Sequence, residues 1–264
     1  MKNNNKKAIY ESFGIEYKGG KIYAPLFGWI APLLVNGNAK LGKGVWTWSM
    51  LPGTGFYRAT INGDVIETKG TCLCDCVGCY AKTGFFNMPS VINSLVIKTA
   101  LARMYPEFVK RAIMAQIVAD NIELLRIHAA GDFFNDEYVE LWRDIVRESK
   151  ATRFWTYTKN KAAETAFDEF ENANIVKSLY NGRVNFGHAG AMVDLYHALV
   201  KVGKKVYICR CGIDKNQHCT NCRGCAEYEY VLFLEHSTSY NPINDERYPE
   251  FIELVNSLDK SVIQ

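Results

Sequence analysis

No run of apolar residues in this 264-residue chain is long enough to cross a bilayer. The longest, Ala24 to Val35, is broken by Pro25 and Pro32 and falls short of the ~20 residues a spanning helix needs, so no membrane partner is expected. The N-terminus, Met1-Lys2-Asn3-Asn4-Asn5-Lys6-Lys7, leads into no apolar h-region, so no secretory leader is expected either. Net charge is only +3, which gives no electrostatic case for nucleic acid. Repeats, low-complexity tracts and a dividing linker are also missing. One domain spanning residues 1–264 is therefore expected.

Cysteine, by contrast, is abundant. There are nine, an odd number, gathered in two groups. In a secreted protein that pattern would suggest a disulfide frame. Without a leader it points to metal binding in a reducing cytoplasm.

The first group is Thr71-Cys72-Leu73-Cys74-Asp75-Cys76-Val77-Gly78-Cys79-Tyr80-Ala81. Cys72, Cys76 and Cys79 stand in the order C-x3-C-x2-C, and Cys74 is a fourth thiol inside the loop. Gly78 lets the backbone turn tightly before Cys79. Thiolates crowded so closely select soft metal, an iron–sulfur cluster before zinc. Adjacent Cys-x-Cys pairs make poor disulfides.

The second group is Cys209, Cys211, Cys219, Cys222 and Cys225. Its C-x2-C-x2-C run resembles the triple of bacterial ferredoxins, with Cys211 or Cys209 supplying the fourth bond. A second iron–sulfur cluster is the first expectation and a four-cysteine zinc site the alternative. Convergence of both groups on one site also stays open.

Around these groups the pattern changes along the chain. Residues 1–70 carry too much Gly and Pro for long helices and are expected to form an irregular β and loop layer. Val45 to Met50 is an expected strand. Asn62-Gly63, between Phe56–Thr60 and Val65–Thr68, predicts a β-hairpin with a type I′ turn. Trp46 and Trp48 are expected in the core. Helices are predicted over Ser90–Met104 and Pro106–Asp120, the second with proline in its first turn.

From Leu124 strands and helices alternate. Strands are predicted at Leu124–Ala129, Arg153–Thr158, Arg183–Gly187, Val206–Cys209 and Tyr230–Glu235. Helices are predicted at Asp136–Ser149 with Asn135 as N-cap, at Lys161–Asn172, at Ala191–Val202 and at Glu246–Leu258. Alternation of this kind predicts an α/β fold of βαβ units with parallel strands. A closed eight-fold barrel would need two more units, so the expected fold is a partial (β/α)6 TIM-like barrel over residues 71–240. The N-terminal layer precedes it, and a C-terminal helix over residues 241–264 follows. In such sheets ligands bind at the carboxyl ends of the strands, where His128, Asp132, Thr158, His188 and Cys209 fall. Arg126 and His128 are expected on one face of their strand, opposite Leu125 and Ile127. Charge there marks a polar site, or Arg126 simply pairs Asp132 or Glu123. Asp132 is equally placed to cap the helix after Asn135.

The spacing of Cys72, Cys76 and Cys79, in a loop before a run of βα units, resembles that of radical S-adenosylmethionine (radical SAM) enzymes. Four blocks together are similar to the phage "gene product eighty-eight" family. They are Thr71-Cys72 through Cys79-Tyr80-Ala81, Arg126-Ile127-His128-Ala129-Ala130-Gly131-Asp132-Phe133, Phe154-Trp155-Thr156-Tyr157-Thr158 and Cys219-Thr220-Asn221-Cys222-Arg223-Gly224-Cys225. The resemblance covers about Asn38 to His236. It implies phage origin, hence a host cytoplasm, and iron–sulfur binding on a radical-SAM-like barrel; it carries over no activity.

In the radical SAM pattern, Cys72, Cys76 and Cys79 hold three irons of a [4Fe–4S] cluster and S-adenosylmethionine takes the fourth. Reductive cleavage then yields a 5′-deoxyadenosyl radical, drawing on an electron donor and acting on a small-molecule or protein substrate. Ala130-Gly131-Asp132 stands where the methionine amine is met, with Arg126, His128 and Tyr80 as further cofactor contacts. Gly78 replaces the usual aromatic residue, for which Tyr80 substitutes. Asp132 is one methylene shorter than the usual glutamate. Cys74 is an extra thiol able to take the open iron. A non-catalytic iron–sulfur protein, for electron transfer or structure, and a zinc-binding scaffold are the alternative functions.

Overall fold

A computed structural model describes residues 3–37, 41–76, 79–177, 186–210, 213–214, 217–220, 222–234 and 241–258. Gly78, Cys211, Asn221, His236 and the Tyr80 side chain lie outside the described residues, as does 183–185 of one expected strand.

The chain opens with helix α1 (Asn3–Ser12), where an irregular layer is expected. This helix has little apolar face of its own. It is held by packing on the helix at Pro106–Asp120, by a Lys6–Asp120 ion pair, and by Tyr10, whose ring stacks on Tyr17 at 4.6 Å. Strands β1 (Tyr17–Lys18), β2 (Lys21–Ala24) and β3 (Gly28–Ile30) form a small antiparallel sheet. Next come β4 (Val35–Asn36) and β5 (Val45–Thr47), then the predicted hairpin, β6 (Phe56–Ile61) and β7 (Asp64–Lys69). Its turn has φ of 55° at Asn62 and 92° at Gly63, the doubly left-handed geometry of type I′.

After the first cysteine group, α2 (Pro89–Met104) stops before Pro106, whose ring opens α3 (Pro106–Asp120). Asn121, left-handed at φ 49°, ends α3 by donating its N–H to Ile117 and Val118. Then follow β8 (Leu124–Ile127), α4 (Asp136–Glu148), β9 (Arg153–Thr158), the single turn α5 (Lys161–Glu164) and β10 (Ala173–Lys177). Two expectations are corrected here. The helix Lys161–Asn172 ends after one turn, because Phe167 and Phe170 turn into the core and Asn172 donates to the carbonyls of Val146, Ser149 and Thr152. The chain then forms β10, a strand the sequence pattern did not reveal. The remaining elements are β11 (Phe186–Gly187), α6 (Ala189–Lys201), β12 (Val206–Cys209), α7 (Gly224–Glu227), β13 (Tyr230–Leu234) and α8 (Tyr248–Leu258).

The architecture is mixed α/β with two parallel sheets. The first has the order β10-β9-β8-β5-β4, parallel except for the β4–β5 pair. The second has the order β11-β13-β12, with β13 inserted between its neighbours. Strand alternation gives each sheet two distinct faces. One face of the first sheet, with Leu125, Ile127, Phe154 and Ile175, packs against α3 and α4 in the largest core. One face of the second, with Val206, Ile208, Leu232 and Leu234, packs against α6 and α8. The opposite faces meet each other: Val176 and Tyr157 from the first sheet share a cluster with Tyr207, Cys209, Val231 and Phe233 from the second. No helix is long and apolar enough to cross a membrane among the described residues.

Trp48 is fully buried, as expected, and Lys98 is buried against it with Nζ 5.8 Å from the indole centroid. Burial alone pushes the Lys98 ammonium down to about 8. A base whose folded pKa is depressed weakens the fold while charged and ceases to do so as pH climbs from about 8 to its ordinary value of 10.5. That shift corresponds to on the order of 3 kcal/mol. Lys98→Met should therefore raise the urea midpoint at pH 7, by an amount equivalent to about 1–3 kcal/mol, and much less at pH 10. An equal or lower midpoint at pH 7 would sink this account.

Candidate functional site

The first cysteine loop is fastened to the carboxyl ends of β5, β8 and β9. Thr71 at its start donates its backbone N–H and its hydroxyl to Leu51 O, and Cys72 N–H donates to Gly53 O. The same Thr71 hydroxyl oxygen accepts the N–H of Asp132 at 3.0 Å. Gly131 makes this approach possible. Its φ is +84°, and a Cβ there would stand 2.6 Å from Thr71 Oγ1 and 3.1 Å from Met50 Cβ.

Asp132 is 6% exposed, and its carboxyl oxygens accept from Phe133 N at 2.8 Å, Thr158 Oγ1 at 2.7 Å and Lys159 N at 2.9 Å. Burial pushes its pKa up, against those three donors and the Lys159 charge. Asp132 therefore ties β8 to β9 and does not cap α4. Asn135 performs that task, accepting Tyr138 N–H at 3.0 Å.

From the same turn of chain, Lys159 reaches back to the loop, its Nζ 2.9 Å from Cys76 Sγ. Burial opposes its charge, but the hydrogen bond to Cys76 and the nearby thiols Cys76, Cys74 and Cys79 hold its pKa above the ordinary value. Thr71, Asp132, Lys159 and Cys76 thus form a hydrogen-bonded chain that runs from the start of the cysteine loop back to its third thiol. Asp75 secures the loop from outside, accepting from Thr54 and Lys82; Lys82 first, then Thr54, hold its carboxyl down to about 2.

Cys72, Cys76 and Cys79 are half-buried and Cys74 is exposed. They lie close enough to act on one another: burial pushes the Cys72 thiol up to about 12, with Asp132, Cys79 and Cys76 adding to it against a backbone hydrogen bond at Gly53. Burial first, then the neighbouring Cys76, push the Cys74 thiol up as well. Beside the loop, a cleft of about 320 Å³ lies between the hairpin and α2, lined by Leu51, Tyr57, Phe86, Ile92 and Leu95 among others.

Arg126 and His128 are not brought together. Arg126 lies on the inner face, its guanidinium 5.0 Å from the Tyr157 ring centroid. His128, at φ +60°, turns out of the strand into an aromatic nest of Phe133, Tyr138 and Trp142, its Nε2 3.0 Å from Tyr138 Oη. Burial first, then the Arg126 charge, push its pKa down to about 3, so the ring is neutral at pH 7. The shared face expected of this pair is thus corrected by one left-handed residue.

In the second group, Tyr157 Oη donates to Cys225 Sγ at 2.7 Å, and Tyr207 Oη lies 2.9 Å from Cys222 Sγ. Cys209 is buried in the same cluster, and Cys219 packs beside Cys225 against Leu41, Val45 and Trp155. Among the described residues the second group packs with other neighbours than the Lys159 that meets Cys76. None of the eight described cysteines is in a disulfide, and no three His, Cys, Asp or Glu side chains stand ready-made around a metal position among the described residues. The donor chemistry of both groups nevertheless suits soft metal, with a cation or phenol already directed at individual sulfurs.

Lys159 and Tyr207 were missed in the sequence, and Thr71 and Tyr157 stood within motifs with no role assigned to them. The carboxyl-end rule that singled out Thr158 would have found Lys159, one residue on. Tyr207 carries no such signal.

A family model described as "Gene product 88" matches residues 32–224. The Gene 88 protein of Mycobacterium phage L5 is 37% identical over 65 residues, 25% of this chain and 26% of that protein. The Gene 88 protein of Mycobacterium phage D29 is 33% identical over 82 residues, 31% of this chain and 32% of that protein. The matched stretches thus span about a quarter to a third of these relatives. No solved structure matches the chain.

Gly131→Ala should destabilise the protein by about 2 kcal/mol and loosen the cysteine loop, since left-handed backbone and a steric clash coincide there. Increased proteolysis between Thr71 and Lys82, with a lowered melting temperature, is the expected result. A variant that melts and is cleaved like the wild type would show that the approach of Thr71 to the turn is not structurally important.

Proposed function

The chain belongs to the Gene product 88 family of phage proteins, and from that premise we propose that it is an iron–sulfur protein with a radical-SAM-like first centre. Cys72, Cys76 and Cys79 would hold the cluster. The observation that carries this reading is the hydrogen-bonded chain Thr71–Asp132–Lys159–Cys76, which supports a C-x3-C-x2-C loop at the carboxyl ends of parallel strands, where α/β sheets bind ligands.

When bound, a [4Fe–4S] cluster supplies an electron for reductive cleavage of S-adenosylmethionine. The chain's own residues orient and shield. Lys159 places its ammonium group beside the Cys76 sulfur, at 2.9 Å, and orients it. Three of the roughly four lone-pair sites on the Asp132 carboxyl are taken, which leaves one on Oδ2 for an ammonium group. The half-buried thiols restrict water at the loop.

In this reading the two parallel sheets are arcs of one partial barrel. Support comes from their apolar helix-covered faces outside and the shared cluster of Val176, Tyr157, Cys209 and Val231 between them. The thiol chemistry fits the host cytoplasm, with a reducing partner as electron donor. One observation favours a second reading, a non-catalytic iron–sulfur protein: Cys74 lies near enough to Cys76 to feel its charge, a further thiol beside the ligand set.

EPR on anaerobically purified, dithionite-reduced protein separates the two. A [4Fe–4S]+ signal that changes on adding S-adenosylmethionine, with 5′-deoxyadenosine formed by the wild type and not by Cys76→Ala, is the expected outcome. A signal indifferent to S-adenosylmethionine would favour the non-catalytic reading. Colourless protein carrying zinc would overturn both.

A further inference from the structure

The second cysteine group does more than collect sulfurs. Its loop and α7 lie against the inner faces of both parallel sheets. On the first sheet, Arg153 of β9 donates through Nε and Nη2 to Ala226 O, at 3.1 and 2.7 Å. Asn174 of β10 donates to the carbonyls of Cys225 and Tyr228, both at 2.9 Å. On the second sheet, Tyr207 of β12 packs so closely on α7 that a Cβ at Gly224 would stand 2.3 Å from its ring. The sulfurs divide the same way. Cys225 is met by the Tyr157 hydroxyl from β9, Cys222 by Tyr207 from β12, and Cys209 is itself the last residue of β12. Cys209 and Cys225 also pack in one cluster with Tyr157 and Tyr207.

No strand pairing joins the two sheets among the described residues. We propose that iron or zinc draws the thiolates of Cys209, Cys222 and Cys225 into one centre that clasps the two sheets together, with Tyr157 and Tyr207 as its positioning residues. A metal bound by sulfurs from a strand of one sheet and from a loop anchored on the other is a cross-link between them. Because such a site exists only when the sheets are in place, binding there is also folding free energy. Each phenol directs its hydroxyl at one ligand sulfur, fixing the sulfur's orientation as outer-shell partners do. The inference does not depend on the first centre.

The test uses full-length protein in which Cys72, Cys76 and Cys79 are all replaced by Ser, so that metal remaining belongs to the second group. Retained iron or zinc is expected; metal-free protein would overturn the proposal while leaving the first centre's reading intact. Conversely, a triple variant with the wild-type metal content would sink the reading of the first centre and support this one. In the same background, Tyr157→Phe and Tyr207→Phe should each release metal to a chelator at least ~10-fold faster. Their metal-free forms should melt within a degree or two of the metal-free parent, separating lost positioning from a generally weakened fold. Removing the metal should raise amide hydrogen exchange in β9, β10, β12 and β13 and leave the β6–β7 hairpin unchanged. Release at the parent rate, or exchange unchanged on metal removal, would overturn the proposal.

Discussion

The buried carboxyl of Asp132 is the constraint on which the first site depends. A carboxyl group in such surroundings is costly unless its lone pairs are engaged, and three donors engage it here. Two of them, Thr158 and Lys159, lie at and just beyond the end of β9, so satisfying the group ties the turn after β8 to the end of β9. Its own N–H is given to Thr71, which brings in the cysteine loop. Remove the carboxyl and the turn after β8, the end of β9 and the start of the loop would each lose an anchor. A side chain as long as glutamate would have to move these donors outward to be satisfied.

A division of labour between faces follows from strand alternation. The outward faces are almost entirely apolar and covered by helices, so they hold most of the burial that stabilises the protein. The inward faces carry Arg126, Tyr157, Tyr207 and Cys209, residues that bury polar groups and pack less simply. Stability and chemistry are thereby placed on opposite sides of the same strands. His128 shows how little is needed to move a side chain between them: one left-handed residue transfers the imidazole from the expected polar face to an apolar nest.

Regular elements were legible wherever their local chemistry was self-sufficient. Asn62-Gly63 specifies its turn, Pro106 and Asn121 bracket α3, and Arg153–Thr158 reads as a strand because β-branched and aromatic residues fill it. Failures arose where long-range contacts decide. Ala173–Lys177 is a strand because β9 offers a parallel edge, and Asn172 stops any helix before it by binding three carbonyls of distant chain. Helix α1 exists through its contact with α3. At the site, the cysteines and Gly131-Asp132 were legible as motifs. Their partners Lys159, Tyr157 and Tyr207 were not, because a hydrogen bond to sulfur from 83, 68 or 15 residues away leaves no local pattern.

Strand β9 is where the two thiol groups become one problem. Tyr157 touches Cys225, and Lys159 touches Cys76. These residues are two apart at the end of one strand, separated by about 6.6 Å along it. Thr158 between them points the other way, to Asp132. Any displacement of this strand end therefore moves a phenol, a carboxyl anchor and an ammonium together. A change at one sulfur group that altered the position of β9 would be felt at the other without a continuous path of thiols. The first group sits at the carboxyl ends of the strands with Cys74 exposed, while the second reaches between the two sheets through the buried Cys209. The enclosed group is accordingly the better placed to fix the strand, and the open one to use a strand already fixed.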